Sequence, residues 1–364
     1  MPSVTANPLH NPVSAAPSSP ERVAIVADDL TGACDSAAAF LHAGRAVRVW
    51  LGDRARFSAP EPVQAFNTDS RALAPAHASR AVARAAAQLA QLPGALLFKK
   101  VDSAARGPFA AEILAARRGF QARAVLLAPA FPAAGRTVRN GVLHIADAAG
   151  TRAGIDLAGR FPSRSRALIQ PVSGPDALAA AFHSGKPVLL CDSATQSDLE
   201  ALVRTAETLP GLLFAGSAGL ARALAARDAE CSYPMPPLAA RTLIVAGTDH
   251  PVTKLQLQNL DREPAGAHQV LRISCLPGDG AQILDAFRGF QPQAVILTGG
   301  DTALLAARTL GAHSFILRGE LAPGIPWGTM QGGAAEGCTV ITKSGGFGTP
   351  TIFNQILAAL RGSQ

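Results

Sequence analysis

Short apolar runs of four to six residues recur along this chain, each closed by an acid, a glycine or a proline and most followed by a helix-forming segment. Val23–Ala27, Ala46–Leu51, Val63–Phe66, Ala95–Phe98, Ala124–Ala128, Pro187–Cys191 and Leu212–Ala215 form one series. Thr242–Ala246, Val270–Ser274, Ala294–Leu297, Ser314–Leu317 and Cys338–Ile341 form another. Runs this short read as strands buried on both faces. Their alternation with helices such as Pro75–Leu92, Pro108–Arg118 and Ala303–Leu310 predicts an α/β fold with mainly parallel sheets flanked by helices. Residues 229–240, AECSYPMPPLAA, break the rhythm with three prolines and the only tyrosine. That predicts two domains, 22–228 and 241–364, joined there, each with its own mainly parallel sheet. Residues 139–170 show only short strand-like runs cut by glycine and arginine, and Gly319–Gly333 reads as a Gly/Pro-rich connection.

Residues 1–21 hold prolines and serines without an apolar core, which predicts a disordered tail and neither a signal nor a transit peptide. No apolar run approaches the ~18 residues of a membrane span. Five widely spaced cysteines without a CxxC fit reduced core residues of a cytoplasmic protein. The net charge of +7 is scattered, and only 5% of residues are aromatic, so a nucleic-acid partner is not expected. A small anionic substrate explains the balance instead. Only five of the 33 basic residues are lysines, so Lys99, Lys100 and Lys343 at strand ends stand out. A compact ammonium suits a phosphate or carboxylate as a point charge.

In an open α/β sheet, ligands bind at the carboxyl ends of the strands. Asp28 and Asp29 follow the first strand, with Thr31 in the turn behind them; the cluster 67–71 follows the third. Lys100, Asp102, Ser103 and Arg106 follow the fourth, and Arg136 follows the fifth. An Asp there can take a proton from a substrate hydroxyl, and Lys or Arg can hold a carboxylate. The Lys100/Arg106 pair is the expected carboxylate clamp. Asp29 is the favoured base, and Asp28, pointing elsewhere along the strand, is expected to cap the helix or bind water around Mg²⁺.

In the second half, Gly247–Thr248, Gly299–Gly300 and Gly345–Gly346 each follow a strand. Without Cβ atoms such turns let backbone N–H groups approach a phosphate at a helix N-terminus. Lys343 is expected to reach a phosphate oxygen, and His250 to touch the nucleotide. Neither GxxxxGK[ST] nor GxGxxG occurs, and no histidine spacing suggests a protein-held metal. ATP and Mg²⁺ are the expected cofactors of a phosphotransferase with its cleft between the domains.

Together VADDLTGACD, KKVDSAARG, PAFPAAGRTVRNG, FAGSAGLARAL, LTGGDTA, GELAPGIPWG and TKSGGFGTP resemble the four-carbon acid sugar kinases, from about Arg22 to Phe353. The resemblance implies ATP-dependent phosphorylation of an erythronate, threonate or 3-oxo-tetronate type acid. It implies acid-sugar contacts at Asp28–Asp29 and Lys100–Arg106, and nucleotide contacts at Thr248, His250, Gly299, Gly300, Asp301, Thr302, Gly345 and Gly346. Two motifs depart from the family's usual residues: Ala104-Ala105 and Pro108 stand for Thr-Leu and Asn, and Thr248 and His250 for serines. The chain is also somewhat short for the family. An aspartyl-phosphate-type phosphatase is a rival reading, weakened because adjacent acids do not fit DxDxT. A non-catalytic sugar-acid binding protein is another, with no reason for a second, phosphate-cradling domain.

Overall fold

The computed structural model describes residues 22–43, 45–52, 59–146, 152–225, 234–260, 267–276 and 278–362. The tail expected over 1–21 and the first part of the joint expected at 229–240 lie outside these.

Seventeen strands are described. The first eleven are β1 (Arg22–Ala27), β2 (Val47–Trp50), β3 (Val63–Asn67), β4 (Ala95–Lys100), β5 (Ala124–Ala128), β6 (Arg136–Arg139), β7 (Val142–Ala146), β8 (Arg152–Asp156), β9 (Ile169–Val172), β10 (Val188–Cys191) and β11 (Leu212–Gly216). The remainder are β12 (Thr242–Ala246), β13 (His268–Arg272), β14 (Ala294–Thr298), β15 (Ser314–Ala322), β16 (Ile325–Gln331) and β17 (Thr339–Lys343). Fourteen of them form a single sheet in the order β13-β12-β14-β17-β16-β15-β2-β3-β1-β4-β11-β5-β10-β9.

The expected class holds, since β2 through β9 in that order are parallel, as are β13 through β17. Strands such as AVLLA in β5 and AVILT in β14 are buried throughout, because helices cover both faces. The two mainly parallel sets are joined edge to edge into one continuous sheet. Gly319–Gly333 is no mere connection: it supplies much of the antiparallel hairpin β15–β16. The outer strand of that hairpin pairs antiparallel with β2, from Ser314 opposite Trp50 to Leu317 opposite Val47. Backbone ladder bonds need no apolar run, so glycine and proline hid this seam from the pattern. Arg136–Arg139, Val142–Ala146 and Arg152–Asp156 form the small antiparallel sheet β6-β7-β8.

The seam decides where the strand ends lie. Three antiparallel pairings between β17 and β2 leave β14 running opposite to β1. Six steps across the sheet separate β1 from β14. A twist of roughly 20–25° per step turns the strand direction through most of a half-circle, which undoes the reversal. The carboxyl ends of both parallel sets therefore face one cleft. The helix Leu30–Ala38, buried along its whole length, fills the angle between them. It packs on helix Gly300–Thr309, on helix Ala218–Ala225 and beneath β15, β16 and β17. Among the described residues no helix is long and apolar enough to cross a membrane.

The hairpin depends on close backbone approach. A Cβ on Gly328 of β16 would meet the Ile316 carbonyl and stand 2.8 Å from Leu317 Cα. Gly328→Ala should therefore force the two strands apart, costing about 1–3 kcal/mol. A urea-unfolding midpoint unchanged from wild type would show that the seam is looser than this.

Candidate active site

The cleft of about 530 Å³ is lined from the first half by Asp29, Thr31, Asp35, Arg71, Lys100, Asp102, Ser103, Arg106 and Arg136, together with Phe131 and Ser217. From the second half come Thr248, His250, Gly299, Gly300, Asp301, Thr302, Ser344, Gly345, Gly346 and Phe347. Of the residues singled out from sequence, Asp28, Lys99 and Lys343 do not line it, and of the cluster 67–71 only Arg71 does.

Asp29 is extended at φ −142° and caps the helix Leu30–Ala38, accepting from Gly32 N at 3.0 Å. Thr31 Oγ1 donates to its Oδ2 at 2.9 Å. Arg71, which sequence reasoning left in an unassigned polar cluster, completes its shell with Nη1 3.0 Å from Oδ2 and Nη2 2.8 Å from Oδ1. The same guanidinium donates from Nε to Asp28 Oδ2 at 2.7 Å and stands 3.6 Å from Asp102 Oδ1. The two acids expected to divide their tasks therefore do not. Asp29 both faces the cleft and caps the helix, while Asp28 turns away from the cleft, paired with Arg71. Burial alone would raise Asp28, but the charges of Arg71, Lys99 and Lys100 overcome it and hold the carboxyl below the usual range.

Arg71 is itself positioned from below. Ser70 N and Arg71 N both donate to the Asp28 carbonyl. Ser70 Oγ donates to Glu112 Oε1 at 2.5 Å, and the buried Lys99 Nζ pairs with Glu112 Oε2 at 2.9 Å. A Cβ on Gly107 would lie 2.8 Å from the Arg71 carbonyl, so only glycine lets the next loop close over it. That loop is folded around Asp102, which accepts from the backbone N–H of Ala104 and Arg106 at 3.1 Å each. Burial opposes ionisation of Asp102, yet the Arg106 hydrogen bonds and the Arg71 charge hold it far below the ordinary value.

The expected carboxylate clamp is thus altered. Arg106 is engaged by Asp102, with Nε and Nη2 at 2.8 and 2.7 Å, and most of its side chain is exposed. Lys100 is buried, and its Nζ donates to the Val101 carbonyl at 2.8 Å. Among the described residues no carboxylate pairs with it. Arg136 Nη1 donates to the Ala134 carbonyl, and its buried Nε has no hydrogen-bond partner among the described residues. Burial lowers the Arg136 pKa. These two cations, rather than Arg106, are left facing the cleft without an anion.

Across the cleft, helix Gly300–Thr309 begins without a side-chain cap, after Gly299 at φ +102°. Its first N–H groups face the cleft with the positive end of the helix dipole behind them. Gly300 also permits a close approach, since a Cβ there would stand 2.7 Å from Asp29 Oδ2. Gly345 and Gly346 fit against Thr248 and His250 in the same way. His250 Nδ1 accepts from Val252 N at 3.2 Å and so caps its own helix. Its pKa is lowered by burial and by the positive charge of Lys343.

Lys343 is not a phosphate ligand in this arrangement, because its buried Nζ turns into the protein. It donates to Thr253 Oγ1 at 3.2 Å and to the carbonyls of Ser344, Gly345 and Phe347 at 3.1, 3.4 and 3.2 Å. Gln256 Nε2 takes the Phe347 and Gly348 carbonyls at 3.0 and 3.1 Å. The Ser344, Gly345, Phe347 and Gly348 carbonyls are thereby engaged, while Gly345 N and Gly346 N keep no partner among the described residues. A periodic pattern could flag Lys343 as unusual but could not tell which way it points.

Known proteins resemble this chain over nearly its whole length. Residues 23–169 match a sugar-binding N-terminal domain family and 279–353 a nucleotide-binding C-terminal domain family. A D-threonate kinase of Bordetella bronchiseptica is 30% identical, with 93% of this chain and 97% of that protein covered. A D-threonate kinase of Salmonella typhimurium is 27% identical, covering 90% and 96%. A D-erythronate kinase of Heliobacterium modesticaldum is 30% identical over about half of each chain, 50% and 48%. A solved Haemophilus influenzae structure shares the fold at a TM-score of 0.65 and 19% identity, covering 91% of this chain and 98% of that one. The α/β cleft and these relatives make the chain a kinase. It belongs to the four-carbon acid sugar kinase family. The phosphatase and binding-protein readings give way to this.

Arg71→Ala should leave the buried Asp28 without its guanidinium and Asp29 without two of its donors, and cost about 3–5 kcal/mol at pH 7. In wild type the stability carried by the depressed carboxyls of Asp28 and Asp102 is complete above their unfolded value of 3.8 and is lost as pH falls through the folded ones. In the variant burial at Asp28 is opposed by Lys99 and Lys100 alone, so the deficit should shrink as pH is lowered from 7 toward 4.5. Urea unfolding at both pH values checks this, and an equal deficit at the two contradicts it.

Burial moves Lys343 from 10.5 down to about 7. Between those values the unfolded chain binds more protons than the native one, so this group makes stability rise with pH across that window. Lys343→Met should flatten that rise in thermal unfolding and weaken ATP-analogue binding through the freed loop. A variant with the wild-type slope contradicts the assignment.

Proposed function

We propose that this kinase transfers the terminal phosphoryl group of ATP to a hydroxyl of a four-carbon acid sugar, a threonate, erythronate or 3-oxo-tetronate, in carbohydrate-acid catabolism. Residues 22–228 bind the acid and residues 241–364 the nucleotide. The observation that carries this reading is Lys100, a buried ammonium with no anionic partner among the described residues, set across the cleft from an uncapped helix N-terminus. A buried cation gains most from an anion that arrives with a ligand. With Arg136 it suits the substrate carboxylate. The first turn of Gly300–Thr309 and the N–H groups of Gly345 and Gly346 suit phosphate oxygens. The names of the D-threonate and D-erythronate kinase relatives support the substrate class.

Asp29 stands where the two sides meet, its Oδ2 against Gly300. Arg71, Thr31 and Gly32 fix its orientation, so an incoming hydroxyl meets a carboxylate already held in place. The transferring group needs little covalent help from the protein, and its catalysis is mostly positioning and charge stabilisation. Asp29 Oδ2 then accepts the hydroxyl proton as the bond to phosphorus forms. No cluster of three or more metal-ligating side chains is present among the described residues. Mg²⁺ commonly uses only one or two carboxylates beside the phosphates. Asp301, an exposed acid at the phosphate-facing helix, fits that need, and the ion would neutralise phosphate charge there.

The test is ADP release with ATP and a panel of threonate, erythronate and 3-oxo-tetronate. At least one acid should support turnover well above the ATP-only background. Asp29→Asn, which keeps shape and removes the base, should lower kcat by ~10²–10⁴ with ATP affinity nearly intact. If no acid raises ADP release, the reading is wrong; if Asp29→Asn turns over normally, Asp29 is not the base.

A further inference from the structure

Asp35 lies one turn beyond Thr31 on the fully buried helix Leu30–Ala38, and it lines the cleft. Its surroundings differ from those of the other first-half acids there. Asp29 and Asp102 are each surrounded by donors, whereas Asp35 Oδ1 is buried with no hydrogen-bond partner. No described residue donates to its other oxygen either. The nearest guanidinium, Arg222, keeps Nη2 3.9 Å from Asp35 Oδ1, beyond hydrogen-bond reach. That nitrogen is committed to Glu320 Oε1 at 3.2 Å, and the Arg222 guanidinium lies over the Phe131 ring, 5.3 Å from its centre. Glu320 is held in turn by Gly324 N at 2.6 Å. Phe131 and Phe347 meet edge to face with ring centres 6.0 Å apart, closing this end of the cleft from both halves.

A buried carboxylate with no donor is too costly to persist, so the group is neutral or a ligand completes it. The bound acid is itself an anion and would be repelled by an ionised Asp35. A neutral carboxyl has a proton to donate. We propose that Asp35 helps bind the acid sugar by donating a hydrogen bond, from its neutral carboxyl, to a hydroxyl oxygen of the bound acid sugar. This rests on the kinase reading above, which leaves the substrate carboxylate to Lys100 and Arg136.

The charges around Asp35 agree. Burial is the largest influence and raises its pKa. Arg222 from helix Ala218–Ala225 and Lys100 from β4 oppose this, while Glu320 from β15 and Asp29 ahead of its own helix add to it. The result is a carboxyl at about 7, so the neutral form is abundant at neutral pH. Because the donor form binds, affinity is full below that value and falls as pH rises through it, by up to about tenfold per pH unit. An ordinary Asp would have lost its proton well below this range.

Calorimetric titration of the full chain with threonate and with erythronate, from pH 5.5 to 8.5, tests this. Wild-type affinity for the tighter acid should hold up to about pH 7 and fall above it. Asp35→Asn keeps a donor that does not titrate, so it should bind within about threefold of wild type at pH 6 and lose the fall between pH 7 and 8.5. Asp35→Ala should bind about three- to tenfold more weakly at pH 6. Glu320→Gln releases Arg222 toward Asp35 and removes a negative charge, so the fall should begin at lower pH. An Asp35→Asn curve that falls like wild type, or an Asp35→Ala affinity equal to wild type, overturns the inference while the kinase reading stands. Should neither Asp35 variant fold, a Glu320→Gln midpoint equal to wild type overturns it. A wild type that binds neither acid at any pH overturns the kinase reading and this inference together.

Discussion

One guanidinium holds three loops of this protein in register. Arg71 donates to Asp28 and Asp29 after β1 and stands beside Asp102 after β4, while its own backbone hangs from the Asp28 carbonyl. Each carboxylate would be expensive to bury alone, and so would the arginine. Together they are tolerable only in this geometry, which therefore has few alternatives. The buried Lys99–Glu112 pair beneath repeats the logic and fixes Ser70, the residue before Arg71. Positioning at the cleft is thus inherited from charge pairing below it, and the cations left unpaired are the ones free to meet an anionic ligand.

The second constraint is the seam between β2 and β15. Without it the chain would be two α/β units on a tether, and the strand ends of one would have no fixed relation to the other. With it, sheet twist carries the phosphate-facing turns round to the acids. The contact between Gly300 and Asp29, and the 3.2 Å hydrogen bond from Ser344 Oγ to Thr31 Oγ1, are where that rotation ends. Glycine at position 300 serves two partners at once: it bares backbone N–H groups and admits a carboxylate from the other half.

Much of this was legible in the residues. Runs such as Val23–Ala27 and Ala294–Leu297 could only be strands covered on both faces, and the polar clusters after them could only lie on a rim. Asp29, Lys100, Asp102, Gly300 and Gly345 were found that way, because strand ends in open α/β sheets are where ligands go. Arg71 was passed over within the cluster 67–71, since nothing local marks it as the partner of acids some thirty or forty positions away. Asp35 was passed over for the same reason: its isolation from donors is a property of its neighbours in space.

The sequence by itself determined the class of fold, the rim that carries the chemistry and the kinds of side chain available there, because burial period and turn chemistry act over a few residues. Only the tertiary structure decided which charges are spent on one another and which remain for a ligand. Lys343, Asp28 and Arg106 looked like site residues and are engaged by other protein groups, whereas no carboxylate pairs with Lys100 or Arg136 among the described residues. Charge pairing in a buried cleft depends on distances between segments far apart in the chain, and those are set by the β2–β15 seam and the twist of the sheet it completes.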